Sequence, residues 1–211
     1  MKWFDLSHSI VDAMPVYPGD ARPRLELEKD LPSDGYVTYQ LHCGMHVGTH
    51  VDAPQHLLKG GKGINELPVE HFMGKAVVLD VRGQAIIGYQ PDYSEKIAAG
   101  DIVLFFTGWE RYYGEELYYL EHPVIDRKIA EFLVERRVKL IGLDTPSPDR
   151  PPFEIHKLLL ANDIFIVENL TRLDRFIGTE FVQFMALPLN IHAEASLVRA
   201  VAGVSIQSRM K

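Results

Sequence analysis

Within the eleven residues from 46 to 56 stand three histidines and an aspartate, in the order His46-Val47-Gly48-Thr49-His50-Val51-Asp52-Ala53-Pro54-Gln55-His56. Alternate side chains of an extended chain share a face. The spacing therefore predicts His46, His50 and Asp52 on one side, with Gly48 leaving room between them for something to approach. Neutral imidazole nitrogen and carboxylate oxygen suit zinc, manganese or iron(II). Three protein ligands with open positions describe a catalytic metal site, whereas a structural site closes with four. Pro54 has no N–H and stops regular strand pairing, so the chain is expected to turn there and deliver His56 just beyond the ligands. A histidine in that place can move protons near neutral pH. A lone histidine is ordinarily a loop residue or one satisfied by the backbone. Three of them with an acid, and no bulky residue at the inward positions, point to a metal.

Holding such a set requires strands, and the sequence offers several. Residues 3–10, 36–44, 75–81, 101–106, 139–143, 164–167, 181–187 and 197–204 read as strands by alternation or by compact apolar runs. Residues 14–20 read as a turn-rich loop around Pro18-Gly19. The clearest helix is expected to start near Pro123, with Ile125, Ile129, Phe132 and Leu133 at helical spacing and Glu135-Arg136-Arg137 at its end. A shorter helix is expected from about Glu154 to Leu160. This order predicts a single α/β domain over residues 1–211, a mixed β-sheet with packed helices.

The bulk composition narrows the partners. Apolar residues make up 46% and charged residues 24%, the balance of a globular chain rather than a disordered one. A formal net charge of −7 argues against nucleic acid as the main partner, since phosphate neutralisation needs a basic surface. Cys43 is the only cysteine, so no internal disulfide is possible. No apolar run approaches the roughly 20 residues of a membrane helix, and the N-terminus lacks the apolar core of a signal peptide. The expectation is a cytoplasmic protein with a small-molecule substrate.

The string His-x-Gly-Thr-His-x-Asp-x-Pro-x-His resembles the signature of the cyclase-like metal hydrolases, the group containing bacterial kynurenine formamidase and isatin hydrolase. Asp5-Leu6-Ser7-His8, residues 15–20 (Pro-Val-Tyr-Pro-Gly-Asp), residues 142–147 (Gly-Leu-Asp-Thr-Pro-Ser) and residues 152–170 fit the same pattern. The resemblance thus runs over essentially the whole chain. It implies a swivelling β/β/α-type fold, assembly as at least a dimer, and a centre of two divalent metal ions, zinc in most descriptions and manganese in isatin hydrolase. It further implies that His46 and His50 bind the first metal, that Asp52 bridges both, that His156 binds the second, and that Glu168 completes the bridge. His56 would be the acid/base. Where Tyr17 stands, the formamidases carry a tryptophan thought to stack on the aromatic substrate; tyrosine can still stack, in an altered pocket. The expected reaction is hydrolysis of N-formylkynurenine to kynurenine and formate. The same chemistry on isatin, a cyclic amide or a lactone is the nearest rival, and a cyclase or lyase reaction a more distant one.

From the residues alone, His156 early in a short helix and Glu168 at the end of an apolar strand carry only part of that assignment, because strand ends often hold ligands. Among the remaining residues, Cys43 reads as a small packing residue and His42 as a buried strand residue or one behind the ligands. His71 and His122 read as surface residues. Residues 190–196 (Asn-Ile-His-Ala-Glu-Ala-Ser) depart from the glycine-rich turn that the resemblance leads one to expect, and His192 reads as a surface-loop histidine with the pocket wall as its other possible place. The aromatic stretch 109–119 reads equally as a lid or subunit contact and as a loop packed on its own domain. Gly60-Gly61-Lys62-Gly63 lacks the spacing of a phosphate loop and reads as a flexible turn.

Overall fold

The computed structural model describes residues 1–205. In chain order its strands are β1 (Lys2–Asp5), β2 (Arg24–Lys29), β3 (Thr38–His42), β4 (His50–Asp52), β5 (Met73–Asp80), β6 (Ile86–Ile87), β7 (Ile102–Phe106), β8 (Val124–Ile125), β9 (Leu140–Leu143), β10 (Phe165–Glu168), β11 (Val182–Met185), β12 (Ala195–Leu197) and β13 (Val201–Val204). The α-helices are α1 (Leu31–Asp34), α2 (Tyr93–Lys96), α3 (Glu116–Leu120), α4 (Arg127–Glu135) and α5 (Glu154–Leu160).

One mixed sheet holds nine of these strands in the order β1-β13-β11-β5-β7-β9-β10-β4-β12. Its centre, β5-β7-β9-β10, is parallel. The strands on either side join antiparallel, β11 to β5 and β4 to β10. Parallel strands covered on both faces must be apolar on both, and every residue of β7, β9 and β10 is buried.

The pleat sorts these residues between two cores. Val51, Leu104, Leu140, Phe165 and Val167 pack on one face, with Phe184 and Ala202. Val103, Phe105, Ile141 and Ile166 pack on the other, against Ile129 and Leu133 of α4 and Ile155 and Leu159 of α5. Each fully buried aliphatic chain contributes about 1.5–3 kcal/mol, so β10 is fixed in register between the two layers. Glu168 follows Ile166 by two residues and therefore emerges on the helix-bearing face.

The mixed α/β sheet expected from the sequence is present, with differences in detail. The first strand ends at Asp5 because its carboxylate accepts from Ser7 N at 3.1 Å and turns the chain. Residues 36–44 contribute only β3, and β3 pairs with β2 as a separate ribbon rather than with the main sheet; β2 escaped the sequence reading. The long helix begins at Arg127, not near Pro123. Val124 and Ile125 are held in β8 by pairing with β6, and Asp126 caps the helix by accepting from Ile129 N at 2.8 Å. The closing strands shrink to β11 and β13, with β12 between them.

Candidate metal centre

His50 and Asp52 lie on β4, Glu168 on β10, and the antiparallel register sets Glu168 opposite His50 and Ile166 opposite Asp52. Residues directly opposite project to the same face, so three ligand candidates meet there without any loop. His50 Nε2 is 3.3 Å from Glu168 Oε2 and 3.5 Å from Asp52 Oδ1.

His46 arrives by another route than the one the spacing predicts. Residues 45–49 form turns and bends rather than an extended strand. Gly48 has φ +61°, a left-handed conformation that favours glycine. A Cβ there would lie 3.1 Å from Ile10 Cδ1 and 3.2 Å from Met14 Cε. The turn folds His46 back over the strand, placing its Nδ1 3.1 Å from both Asp52 Oδ1 and His50 Nε2. His156 reaches in from α5, with Nε2 3.2 Å from Glu168 Oε1 and 3.6 Å from Asp52 Oδ2.

Two groups of possible ligands result, His46/His50/Asp52 and Asp52/His156/Glu168, each with its ligand atoms within 4.8 Å of one another. Asp52 belongs to both. Its two oxygens are buried and neither makes a hydrogen bond among the described residues, although imidazole nitrogens surround them. Leaving buried carboxylate oxygens unsatisfied costs on the order of a few kcal/mol. Imidazole nitrogens and carboxylate oxygens converging this closely, with both Asp52 oxygens left unsatisfied, fit a divalent cation.

The electrostatics agree. Burial disfavours the charged form of His50, yet the bond to Glu168 and the Asp52 carboxylate outweigh it and hold the ring up to about 9. Burial also opposes ionisation of Asp52, and the His156 and His46 imidazoles still hold it well below the usual carboxylate range. His156 stays well above the ordinary imidazole value despite burial, through Asp149, Asp52 and Glu168. The cluster thus gathers positive charge as protons, and a metal would take their place.

The imidazoles are oriented from behind. His50 Nδ1 is 2.8 Å from Gly48 O, and that carbonyl also accepts from Asn169 Nδ2 at 2.9 Å. Asn169 Oδ1 in turn accepts from Tyr118 Oη at 2.8 Å.

His56 ends the short 3₁₀ turn Pro54–His56. Its ring centroid is 4.3 Å from that of His46 and 6.2 Å from that of His156. It is therefore beside both ligand groups, and burial pushes its charged form down. Tyr17 lines the same cavity, of about 250 Å³, together with Tyr113, Tyr119, Phe153 and Asn169. Its ring meets that of Tyr119 edge-on at 6.0 Å.

All the residues singled out by sequence are thus gathered at one cavity, His46, His50, Asp52, His56, His156, Glu168 and Tyr17 alike. The aromatic stretch is packed on its own domain: Tyr118 is fully buried while Tyr113 and Tyr119 wall the cavity. Asp149, Asn169 and Glu194 were missed. Asp149 sits in an irregular loop where no periodicity marks it, and Glu194 Oε1 lies 3.6 Å from His46 Nε2 within the segment where His192 had drawn attention.

His192 is exposed, as a surface-loop residue should be. His42 is also exposed and bonds Gln40, so it is neither buried nor behind the ligands, because β3 belongs to the outer ribbon. Cys43 is half-buried at the end of that ribbon, outside the cores. His122 is buried against the Tyr119 carbonyl, and His71 is half-buried near the Phe165 ring, so neither is the surface residue expected. The turn at 60–63 is pinned rather than loose: Lys62 O accepts from Gln55 N, and Gly61 lies so close to Pro54 that a Cβ would stand 2.5 Å from the Pro54 carbonyl carbon. Among the described residues, no helix is long and apolar enough to cross a membrane.

Residues 4–150 match the family model described as "Putative cyclase". An uncharacterised protein of Methanocaldococcus jannaschii is 31% identical over 206 residues, 96% of this chain and 99% of that one. A kynurenine formamidase of Bacillus cereus is 31% identical over 205 residues, 95% of this chain and 96% of the other. Among solved structures, an isatin hydrolase bound to the product analogue thioisatinate superposes with a TM-score of 0.84 at 21% identity, covering 96% of this chain and 92% of that one. Isatin hydrolase A from Labrenzia aggregata, bound to benzyl benzoate, gives a TM-score of 0.83 at 24% identity, covering 95% and 93%.

Proposed function

Because the chain belongs to the cyclase family, we propose that it is a metal-dependent amide hydrolase, with N-formylkynurenine as substrate and kynurenine and formate as products. The observation that carries this reading is the pair of ligand groups sharing Asp52 beside a cavity walled by Tyr17, Tyr113, Tyr119 and Phe153. Aromatic walls suit a flat aryl substrate, and one relative at 31% identity is a kynurenine formamidase.

His46 and His50 would hold one ion, His156 and Glu168 the other, and Asp52 both. Two zinc ions are the proposed complement, with manganese the alternative, since the donor set accepts either. Bound there, divalent ions would supply Lewis-acid polarisation of a carbonyl and acidify a water.

The protein's own part is proton transfer and orientation. His56, kept neutral by its burial, accepts the proton lost by the attacking water at an imidazole nitrogen. It then delivers that proton to the departing amide nitrogen as the C–N bond breaks. Tyr17 and Tyr119 hold the aryl ring so that the amide carbon faces the ligand groups. Neither step needs a serine or cysteine nucleophile.

The acting form is proposed to be a homodimer in the cytoplasm, where a lone cysteine stays reduced. The β2–β3 ribbon and α1 support the dimer: they expose Leu27, Leu31, Tyr36, Tyr39 and Leu41, more apolar surface than a solvated ribbon needs.

The experiment is turnover of N-formylkynurenine by zinc- and manganese-loaded protein, with isatin as a second substrate and with His56→Gln beside the wild type. Turnover of the formamide that a chelator abolishes, and that falls about 10²–10⁴-fold in His56→Gln, is the expected result. Turnover of isatin alone would move the assignment to cyclic amides. Product lacking oxygen from labelled water would overturn hydrolysis in favour of a lyase or cyclase reaction.

A further inference from the structure

Three of the proposed ligands for the second ion differ in how they are held. Asp52 and Glu168 are built into paired strands, but His156 stands on α5 and needs an anchor of its own. Asp149, in the loop between β9 and α5, provides it. Its Oδ1 lies 2.5 Å from His156 Nδ1, while its Oδ2 accepts from Ile155 N at 2.6 Å and lies 3.4 Å from His156 N. Asp149 is buried, and its loop is tied on both sides: Ser147 Oγ donates to Asp149 O at 2.6 Å, and the Arg150 guanidinium donates to His122 O at 2.6 Å.

A carboxylate can only accept, so the bond to Oδ1 places a proton on His156 Nδ1. The lone pair of the neutral ring then falls on Nε2, the nitrogen that faces Glu168 and Asp52. We propose that Asp149 is a positioning residue of the second ion site. Its two oxygens fix, at once, the first turn of α5 and the imidazole tautomer that turns His156 into a ligand. This rests on the two-ion reading above. His50 and His46 are oriented by weaker means, a backbone carbonyl at 2.8 Å and a carboxylate at 3.6 Å, so the dependence on a buried acid is specific to His156.

An amide of the same shape cannot perform both tasks. In Asp149→Asn, an oxygen kept on the helix N–H groups leaves an NH₂ facing His156 Nδ1, which must then accept. The ring proton moves to Nε2, where a metal would bind. Flipping the amide restores the ring at the expense of the helix turn.

The test is zinc titration of metal-free protein in competition with a chromophoric chelator, wild type beside Asp149→Asn. We expect two sites in the wild type. In the variant one site weakens about 10–100-fold, as loss of such a partner does elsewhere, and the other stays within about threefold. Two unchanged sites in the variant, or an equal weakening of both, would overturn the proposal. Should the variant not fold, the zinc-loaded wild type labelled with ¹⁵N-histidine decides, with His156 assigned by comparison with His156→Gln. A proton on Nδ1 in slow exchange is expected, and a proton on Nε2 overturns the proposal. A wild type that binds no zinc would instead remove the two-ion reading itself, a result distinct from two wild-type sites indifferent to Asp149.

Discussion

Glu168 and His50 face each other across the β10/β4 pair, carboxylate oxygen to imidazole nitrogen at 3.3 Å. The pair joins residues 118 positions apart in sequence, and its register is set by the burial of Val51 and Val167 on the opposite face. Slipping β4 by one residue against β10 would send the His50 side chain into that core and away from Glu168. The metal centre is thus a by-product of how β4 docks on the last parallel strand.

Asp52 is the residue common to both ligand groups, and its two buried oxygens make no hydrogen bond among the described residues. Asp52→Asn is expected to lose both ions, whereas His46→Ala should lose one. Metal content by native mass spectrometry after gel filtration checks this, and retention of both ions by Asp52→Asn would contradict a shared ligand.

Gly48 combines a left-handed backbone with a crowded Cβ position, and its carbonyl orients His50. Gly48→Ala is expected to destabilise the fold by about 1–3 kcal/mol and to weaken the ion held by His46 and His50. Urea unfolding and zinc titration read the two effects separately.

Tyr17 lines the cavity and is proposed to act through the substrate ring. Tyr17→Ala should raise KM for N-formylkynurenine about three- to tenfold, the scale of one aromatic contact, with kcat nearly unchanged. A fall in kcat at constant KM would place Tyr17 in the chemistry instead.

His8 stacks on Tyr113 with ring centroids 3.7 Å apart, and its Nε2 is buried without a hydrogen-bond partner among the described residues. Burial, aided by the Arg172 charge, lowers its value to about 4. The folded protein therefore holds His8 neutral while the unfolded chain protonates it below about 6.5. The burial of His8 therefore has no pH-linked cost above that pH and destabilises the fold increasingly as pH falls toward 4, by an amount on the order of 3 kcal/mol. His8→Phe keeps a stacked ring and cannot titrate. The difference in unfolding free energy between variant and wild type should grow in favour of the variant from pH 7 to pH 4.5, and a pH-independent difference would refute it.

Most of the centre was legible in the sequence because its chemistry is local. Three of the proposed ligands and the proposed acid/base fall within eleven residues, and two of those ligands share a short strand. The parity argument held for His50 and Asp52, which lie in β4, and failed for His46, which a glycine turn carries back over the strand. His156 and Glu168 were only partly legible from the residues and needed the family resemblance, since their meeting depends on how α5 packs against β10. Asp149 was invisible because a loop carboxylate shows its purpose only when the group it orients is in view. The β2–β3 ribbon was half read: the alternation in β3 is real, but alternation does not tell which sheet a strand joins.

The strands carry most of the proposed ligands, while Tyr17, Tyr113, Tyr119 and Phe153 stand on the segments between strands. Inheritance can therefore act on the two separately. A lineage can keep its register, and with it the reaction, while insertions and substitutions in the connecting segments reshape the chamber for a different guest. For an engineer the same division marks where to diversify: residues 15–20 and the cavity-facing Tyr113 and Tyr119 are open to libraries, whereas buried Tyr118, β4 and β10 are to be left alone.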